Sequence, residues 1–256
     1  MKHCRMIGLI VALLSAGSNV MSAELKVMVT GSMAAPLKEI AENFARKNGH
    51  TVDVTVGITT TVSATMQAGE KPDLVEVTSV GMDQLQKDNL IRANSRVEIA
   101  RAVIGIAVRD GAAVPDIATS EALARALRAA RSITYVNPRF AGQVGVNLLE
   151  FLRRAGVADD VTKKAVLVFT GEEAVQKVAQ GEAEMAIGFV SEILPVRGVK
   201  WLGPLPSTLQ VPTNYSAAIG AGSAHPEVGR ALIEAIRSAE GQRVIRDAGL
   251  EPTAGR

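Results

Sequence analysis

The feature that most constrains this chain is an alternation of strand-like and helix-like segments running from Glu24 to its end. "ELKVMVT" reads as a strand, and "APLKEIAENFARKNG" follows with apolar residues at helical spacing. Pro36 is expected in the first turn of that helix and Gly49 at its end. "HTVDVTVGI" alternates like a half-buried strand, and "TTTVSATMQAGE" forms a short helix ending near Gly69. "PDLVEVT" is the third strand and "GMDQLQKDN" the third helix. Such a β-α-β-α-β series predicts parallel strands joined by right-handed crossovers.

The second half repeats the theme. "TSEALARALRAAR", "AGQVGVNLLEFLRRAG" and "GEEAVQKVAQGEA" have helical spacing, while "SITYVN", "KAVLVFT" and "EMAIGFV" read as strands. "SEILPVRGVKWLGPLPSTLQ" is rich in proline and glycine and reads as an irregular return segment. "HPEVGRALIEAIRSA" and "GQRVIRDAG" close the chain as helices. Two long β-like stretches, "RVEIARAVIGIAVRDG" and "VPTNYSAAIGAG", bracket the central block and are expected to cross between two bodies. The expectation is an α/β fold of two lobes, with mixed sheets flanked by helices and a two-strand hinge. Residues 24–105 and 210–256 make one lobe and residues 106–209 the other.

Residues 1–23 stand apart. Lys2, His3 and Arg5 precede the apolar run "MIGLIVALLSAG", and small residues follow, which describes a secretory signal peptide and a periplasmic destination. The run is short for a membrane-spanning helix. Cys4, the single cysteine, leaves with that segment, so the remaining chain has no disulfide, thiolate nucleophile or cysteine metal site. Lys2 and Arg5 also account for the formal charge of +2, because the segment contains no acid. A near-neutral remainder with 3% aromatic residues offers little to a nucleic acid. His50 and His225 are too few for a histidine metal site or a serine–histidine triad. The expectation is a monomer without metal or cofactor.

Ligands of open α/β sheets gather beyond the carboxyl ends of the strands, where free N–H groups and helix dipoles favour anions. Three turns of the first lobe carry hydroxyls there: Gly31-Ser32, Thr59-Thr60-Thr61 and Thr78-Ser79. Helix capping is the simplest role for any one of them; three on one sheet edge point to a shared anion site. The second lobe offers the turn Asn137-Pro138-Arg139-Phe140, leading into Ala141, Gly142 and Gln143. Arg139 suits bidentate pairing with a ligand carboxylate, or a plain place in a solvated loop. Ser191 and Glu192 follow another strand, as a cap or as contacts. Glu76, inside "DLVEVTS", is a carboxylate among β-branched neighbours at the ligand edge. It is expected to be half buried with a raised pKa and able to accept a proton, or else to pair with a neighbouring cation.

Over nearly all of residues 24–256 the chain resembles the molybdate-binding-like branch of periplasmic solute-binding proteins. "VMVTGSMAAPLKEIAENFARKNGHTVDVTVG" is similar to that family's first strand, helix and second strand. "TTTVSATMQAGEKPDLVEV", "YVNPRFAGQVGVNLLEFLRRAGV" and "SEILPVRGVKWLGPLP" match later segments in the same order. The resemblance implies the type II periplasmic-binding fold, and it implies Ser32 and Thr59 as oxyanion contacts. It also implies hinge closure on a small anion and an ABC permease as partner. Thr59-Thr60 replaces the family's usual Ser-Gly pair, and Phe189-Val190 stands where its tyrosine is expected. With Arg139 and Glu76 near the cleft, a small organic carboxylate fits better than molybdate. A divergent branch includes aconitate isomerase, which interconverts trans- and cis-aconitate by an allylic proton shift. On that alternative Glu76 is the catalytic base.

Overall fold

The computed structural model describes residues 22–140 and 143–253. The leader expected at residues 1–23 lies outside the described residues except for its last two positions, and Ala141 and Gly142 lie outside them entirely.

The chain begins with three strand–helix units: β1 (Glu24–Thr30), α1 (Gly31–Asn48), β2 (Thr51–Gly57), α2 (Thr59–Gln67), β3 (Leu74–Thr78) and α3 (Ser79–Lys87). The long apolar stretch that follows is divided at Val103 into β4 (Val97–Ala102) and β5 (Ile104–Arg109). Next come α4 (Ser120–Ala129), β6 (Ile133–Val136), α5 (Gln143–Arg154), α6 (Ala158–Thr162), β7 (Ala165–Val168), α7 (Gly171–Ala179), β8 (Met185–Phe189), α8 (Val190–Ile193) and β9 (Val199–Trp201). β10 (Thr213–Ala218), α9 (Pro226–Arg237), α10 (Ala239–Asp247) and the short β11 (Glu251–Pro252) complete the described chain.

The strands form two sheets, ordered β11-β4-β10-β3-β1-β2 and β7-β6-β8-β5-β9. In the first, β2, β1 and β3 are parallel while β10, β4 and β11 pair antiparallel. In the second, β7, β6 and β8 are parallel and β5 and β9 antiparallel. The two-lobed α/β reading is therefore correct, with both sheets mixed.

β1 reads as nearly continuous apolar sequence because both of its faces are covered, as central parallel strands require. Leu25, Val27 and Val29 pack in one buried cluster with Met33, Leu37 and Ile40 of α1 and Ile233 and Ile236 of α9. Met28 points the other way, into a cluster with Val62, Met66, Val77, Met82 and Leu85 from α2, β3 and α3. Each of the larger side chains contributes about 1.5–3 kcal/mol when fully buried. That sandwich fixes the carboxyl ends of β1, β2 and β3 in one row.

Two expectations need correction. Pro36 is not in the first turn of its helix, because α1 starts at Gly31 and Pro36 lies inside it. Without an N–H, Pro36 leaves the Ser32 carbonyl without its i+4 donor. In addition, β10 does not cross between lobes; it lies wholly in the first sheet. Residues 202–212 make the second crossing, with one 3₁₀ turn at Ser207–Leu209. Pro204, Pro206 and Pro212 lack the donors that a paired strand needs. The two crossings are tied by Gln210, whose amide oxygen accepts from Ile104 N–H at 3.1 Å and whose Nε2 donates to the Ile104 carbonyl at 2.8 Å. The segment expected to be irregular, "SEILPVRGVKWLGPLPSTLQ", contains all of α8 but its first residue, and β9.

Candidate functional site

The carboxyl ends of β1, β2 and β3 carry the three hydroxyl turns, and tertiary contacts divide their roles. Thr30 occupies the N-cap position of α1 but makes no capping hydrogen bond through its side chain. Instead its hydroxyl lies 3.0 and 3.1 Å from the two Glu76 carboxylate oxygens, and its backbone N–H donates to Oε2 at 2.7 Å. Ser32 is buried in the first turn of α1 and is likewise no cap. Its Oγ accepts from the Tyr215 hydroxyl at 3.1 Å and donates to Glu192 Oε1 at 3.3 Å. Glu192 stands on α8 of the opposite lobe, so this contact spans the two lobes.

The second and third turns meet each other. Thr78 N–H donates to Thr59 Oγ1 at 3.3 Å, the two threonine hydroxyls are 3.4 Å apart, and Thr78 caps α3 by accepting from Gly81 N–H at 3.2 Å. Position 81 must be glycine for this approach, since a Cβ there would lie 2.3 Å from the Thr59 methyl. Thr60 and Thr61 are exposed on the first turn of α2. Ser79 is drawn elsewhere: its hydroxyl donates to Glu98 at 2.8 Å and lies 2.9 Å from Ser216 Oγ. Ser216 points to the sheet face opposite Tyr215, because neighbouring strand residues alternate. Ser79 is therefore engaged on the face away from Ser32 and Glu76.

In the second lobe, Arg139 is exposed in the turn after β6, with its backbone N–H held by Asn137 Oδ1 at 3.1 Å. Phe140 beside it stacks on Phe169, with ring centroids 5.8 Å apart. Ser191 is buried in α8, and its hydroxyl has no hydrogen-bond partner among the described residues. Of the expected turn at 141–143, only the backbone of Gln143, opening α5, is described.

Glu76 is completely buried on β3, not half buried. Burial pushes its carboxyl up to about 8, while the Thr30 amide and hydroxyl pull it the other way. Glu192 is raised as well, first by burial and against the Phe189 amide and the Ser32 hydroxyl; Glu172 adds to the rise. The Tyr215 phenol is raised well above its ordinary value, mainly by burial, with the negative charges of Glu76 and Glu192 adding to it. Neither Glu76 nor Glu192 has an ion-pair partner among the described residues, so the alternative of a cation partner for Glu76 is not realised there.

Glu192 has a seat built for it. Its Oε2 accepts from Phe189 N–H at 3.2 Å, and a Cβ at position 171 would lie 1.9 Å from the same oxygen. Only glycine at the start of α7 leaves room for the carboxylate. The result is two linked sets at the start of α1, the buried pair Glu76–Thr30 and the row Tyr215–Ser32–Glu192, in which Tyr215 and Ser32 are buried and Glu192 is half-buried. They hold hydroxyl and amide donors with two carboxyl groups of raised pKa. Among the described residues no group of three His, Cys, Asp or Glu side chains is arranged to hold a metal ion.

Tyr215 and Glu192 complete the site, and sequence spacing does not single them out as partners of Ser32. They are 183 and 160 residues away from it. The hydroxyl turns at the strand ends were the legible signal; the groups that face them come from distant elements.

Residues 25–251 match the model of the bacterial extracellular solute-binding protein family. The chain belongs to that family. Aconitate isomerase from a Pseudomonas species is 29% identical to this solute-binding protein over 250 residues, covering 94% of each chain. The molybdate-binding protein ModA of Azotobacter vinelandii is 24% identical over 233 residues, covering 89% of this chain and 90% of its own. The solved structure of the Azotobacter vinelandii periplasmic molybdate-binding protein superposes with a TM-score of 0.72 at 20% identity, over 88% of this chain and 98% of that one. The type II periplasmic-binding architecture is thereby shared.

Proposed function

We propose that this protein is a periplasmic solute-binding protein that closes its two lobes on a small organic carboxylate and delivers it to an ABC permease. One observation carries the choice of ligand. The buried Ser32 hydroxyl, at the start of an 18-residue helix, already donates to a carboxylate that reaches it from the other lobe. A ligand carboxylate in the cleft would meet the same donor, with the dipole of α1 behind it. Thr59, Thr60, Thr61 and Thr78 supply further hydroxyls from the first lobe. Arg139 and Gln143 supply donors from the second, with Ser191 beside Glu192; Ala141 and Gly142, expected contacts as well, lie outside the described residues. The crossings at Val103 and residues 202–212 supply the hinge. Relatives named for molybdate binding support an anionic ligand.

The experiment is a thermal-shift screen with molybdate, sulfate, succinate and tricarballylate. A ligand at a hundred times its Kd stabilises the fold by about 2.7 kcal/mol. Stabilisation by molybdate alone would overturn the carboxylate reading.

A second reading has its own support: a buried and a half-buried carboxyl group, both with raised pKa, beside a tyrosine, together with the similarity to aconitate isomerase. In that reading the pocket moves an allylic proton between trans- and cis-aconitate. Glu76, sealed behind Thr30, would act through Thr30, whereas Glu192 faces the cleft directly. Incubation with trans-aconitate followed by chromatography tests it, and absence of the cis isomer would end it.

A further inference from the structure

We propose that this protein takes up its anion together with one proton, and that Glu192 receives the proton and becomes a hydrogen-bond donor to the ligand. The inference rests on the anion-binding reading above and adds a residue role and a stoichiometry to it.

The geometry leaves an incoming anion little alternative. Ser32 has a single hydroxyl hydrogen, directed at Glu192 Oε1 at 3.3 Å, while its oxygen accepts from Tyr215. A ligand oxygen that takes this hydrogen comes to lie against Glu192 Oε1, acceptor against acceptor. Glu192 has no room to retreat toward α7, where Gly171 already abuts its carboxylate. Its Oε2 is held by the Phe189 amide. Among the described residues no cation acts on Glu192 to offset its charge. Of the ionisable groups on elements packed around α8, Glu172 acts on Glu192 and raises its proton affinity further. Glu173 accepts from the Phe169 amide and Lys177 pairs with Glu182. Arg109 and Lys200 lie toward the end of β5 opposite Ile104, the residue that pairs with Phe189. On α1, Lys38 pairs with Glu42 in solvent, and Glu39 is exposed. Behind Ser32 stand Tyr215 and Glu76, neither of them positively charged.

Protonation removes the conflict. A proton from the buffer adds to Glu192 Oε1, no other bond breaks, and the new O–H points at the ligand anion. The Ser32 hydroxyl is freed to donate to a second ligand oxygen, and Oε2 keeps its bond from Phe189. Burial already favours the neutral acid at this position. Glu76 is unsuited to the role, because Thr30 occupies its carboxylate and it has no exposed surface.

Isothermal titration calorimetry in Bis-Tris and in Tris, at one pH, tests the idea on the unmodified protein. Both buffers are cationic and do not compete for the site. Succinate, tricarballylate, sulfate and molybdate are the probes. The expected result is uptake of about one proton per anion bound, read from the dependence of the binding heat on buffer ionisation heat. Affinity should fall tenfold per pH unit wherever Glu192 is ionised in the free protein. Glu192→Gln, checked for folding by circular dichroism, should still bind while losing both the uptake and the pH dependence. Binding by the unmodified protein without proton uptake overturns the inference and leaves anion binding standing. Uptake that persists in Glu192→Gln overturns the assignment to Glu192. No binding of any of the four anions overturns the anion-binding reading itself, and this inference with it.

Discussion

Replacing Glu76 by glutamine should stabilise this protein in mild alkali and leave its stability in acid almost unchanged. The Glu76 carboxyl is raised from the ordinary 4.5 to about 8, chiefly because β3 buries it. Between those values the folded chain holds a proton that the unfolded chain has released. The contribution is therefore complete below about pH 4.5 and is lost as pH rises toward about 8. Each pH unit in that window removes about 1.4 kcal/mol, on the order of 5 kcal/mol in all. Glutamine keeps the shape and an oxygen to accept from Thr30 N–H, and it cannot ionise. Urea unfolding followed by circular dichroism at pH 5, 7 and 8.5 gives the two stability curves. Subtracting the variant from the unmodified protein cancels Glu192 and the surface acids, which titrate in both. The unmodified protein should lose about 4 kcal/mol relative to Glu76→Gln between pH 5 and 8.5. Parallel curves, or a relative gain with rising pH, would refute the claim that burial outweighs the Thr30 hydrogen bonds.

Four further outcomes are expected. Tyr215→Phe removes the donor to Ser32, costing about 1 kcal/mol in urea unfolding and weakening anion binding by calorimetry; unchanged affinity would take Tyr215 out of the site. Asp73→Ala removes a buried carboxylate that accepts from Lys26 N–H, Ser223 and His225 N–H. It should cost roughly 3 kcal/mol or more, and a loss under about 1 kcal/mol would contradict the anchoring role. Gln210→Ala frees the two crossings from each other and should widen the distribution of lobe distances seen by small-angle scattering; an identical profile would locate the hinge restraint elsewhere. Gly171→Ala displaces the Glu192 carboxylate, so its anion affinity should lose the pH dependence expected of the unmodified protein, and a retained profile would show that Glu192 does not need that seat.

The element order of this chain was legible because apolar periodicity reports local geometry. "ELKVMVT" could be read as β1 from its own residues, and the helical spacing of Met33, Leu37 and Ile40 marks the buried side of α1. Hydroxyls at the ends of β1, β2 and β3 could be placed on one edge, because parallel strands must all end there. Capping was the natural role for each, and it holds for Thr78, because its N-cap bond closes within three residues. It fails for Ser32, whose partners Tyr215 and Glu192 are separated from it by 183 and 160 residues; Thr30, which holds the N-cap position, turns instead to Glu76, 46 residues away. Ser79 looked equivalent to Thr78, yet strand alternation at Ser216 and the pull of Glu98 take it to the opposite face. The short α8 and β9 were hidden among prolines and glycines that local propensity assigns to loop.

Sequence alone thus determined the two-lobed α/β architecture and the row of hydroxyl turns, since both follow from contacts between near neighbours and from the repeat of strand and helix. Tertiary structure alone decided which partners Glu76 and Glu192 have and in what direction their proton affinities move. Packing between distant elements sets Glu192 against Ser32 and buries Glu76 on β3 with no cation paired to it among the described residues, and desolvation is a property of the packed environment that no residue carries by itself.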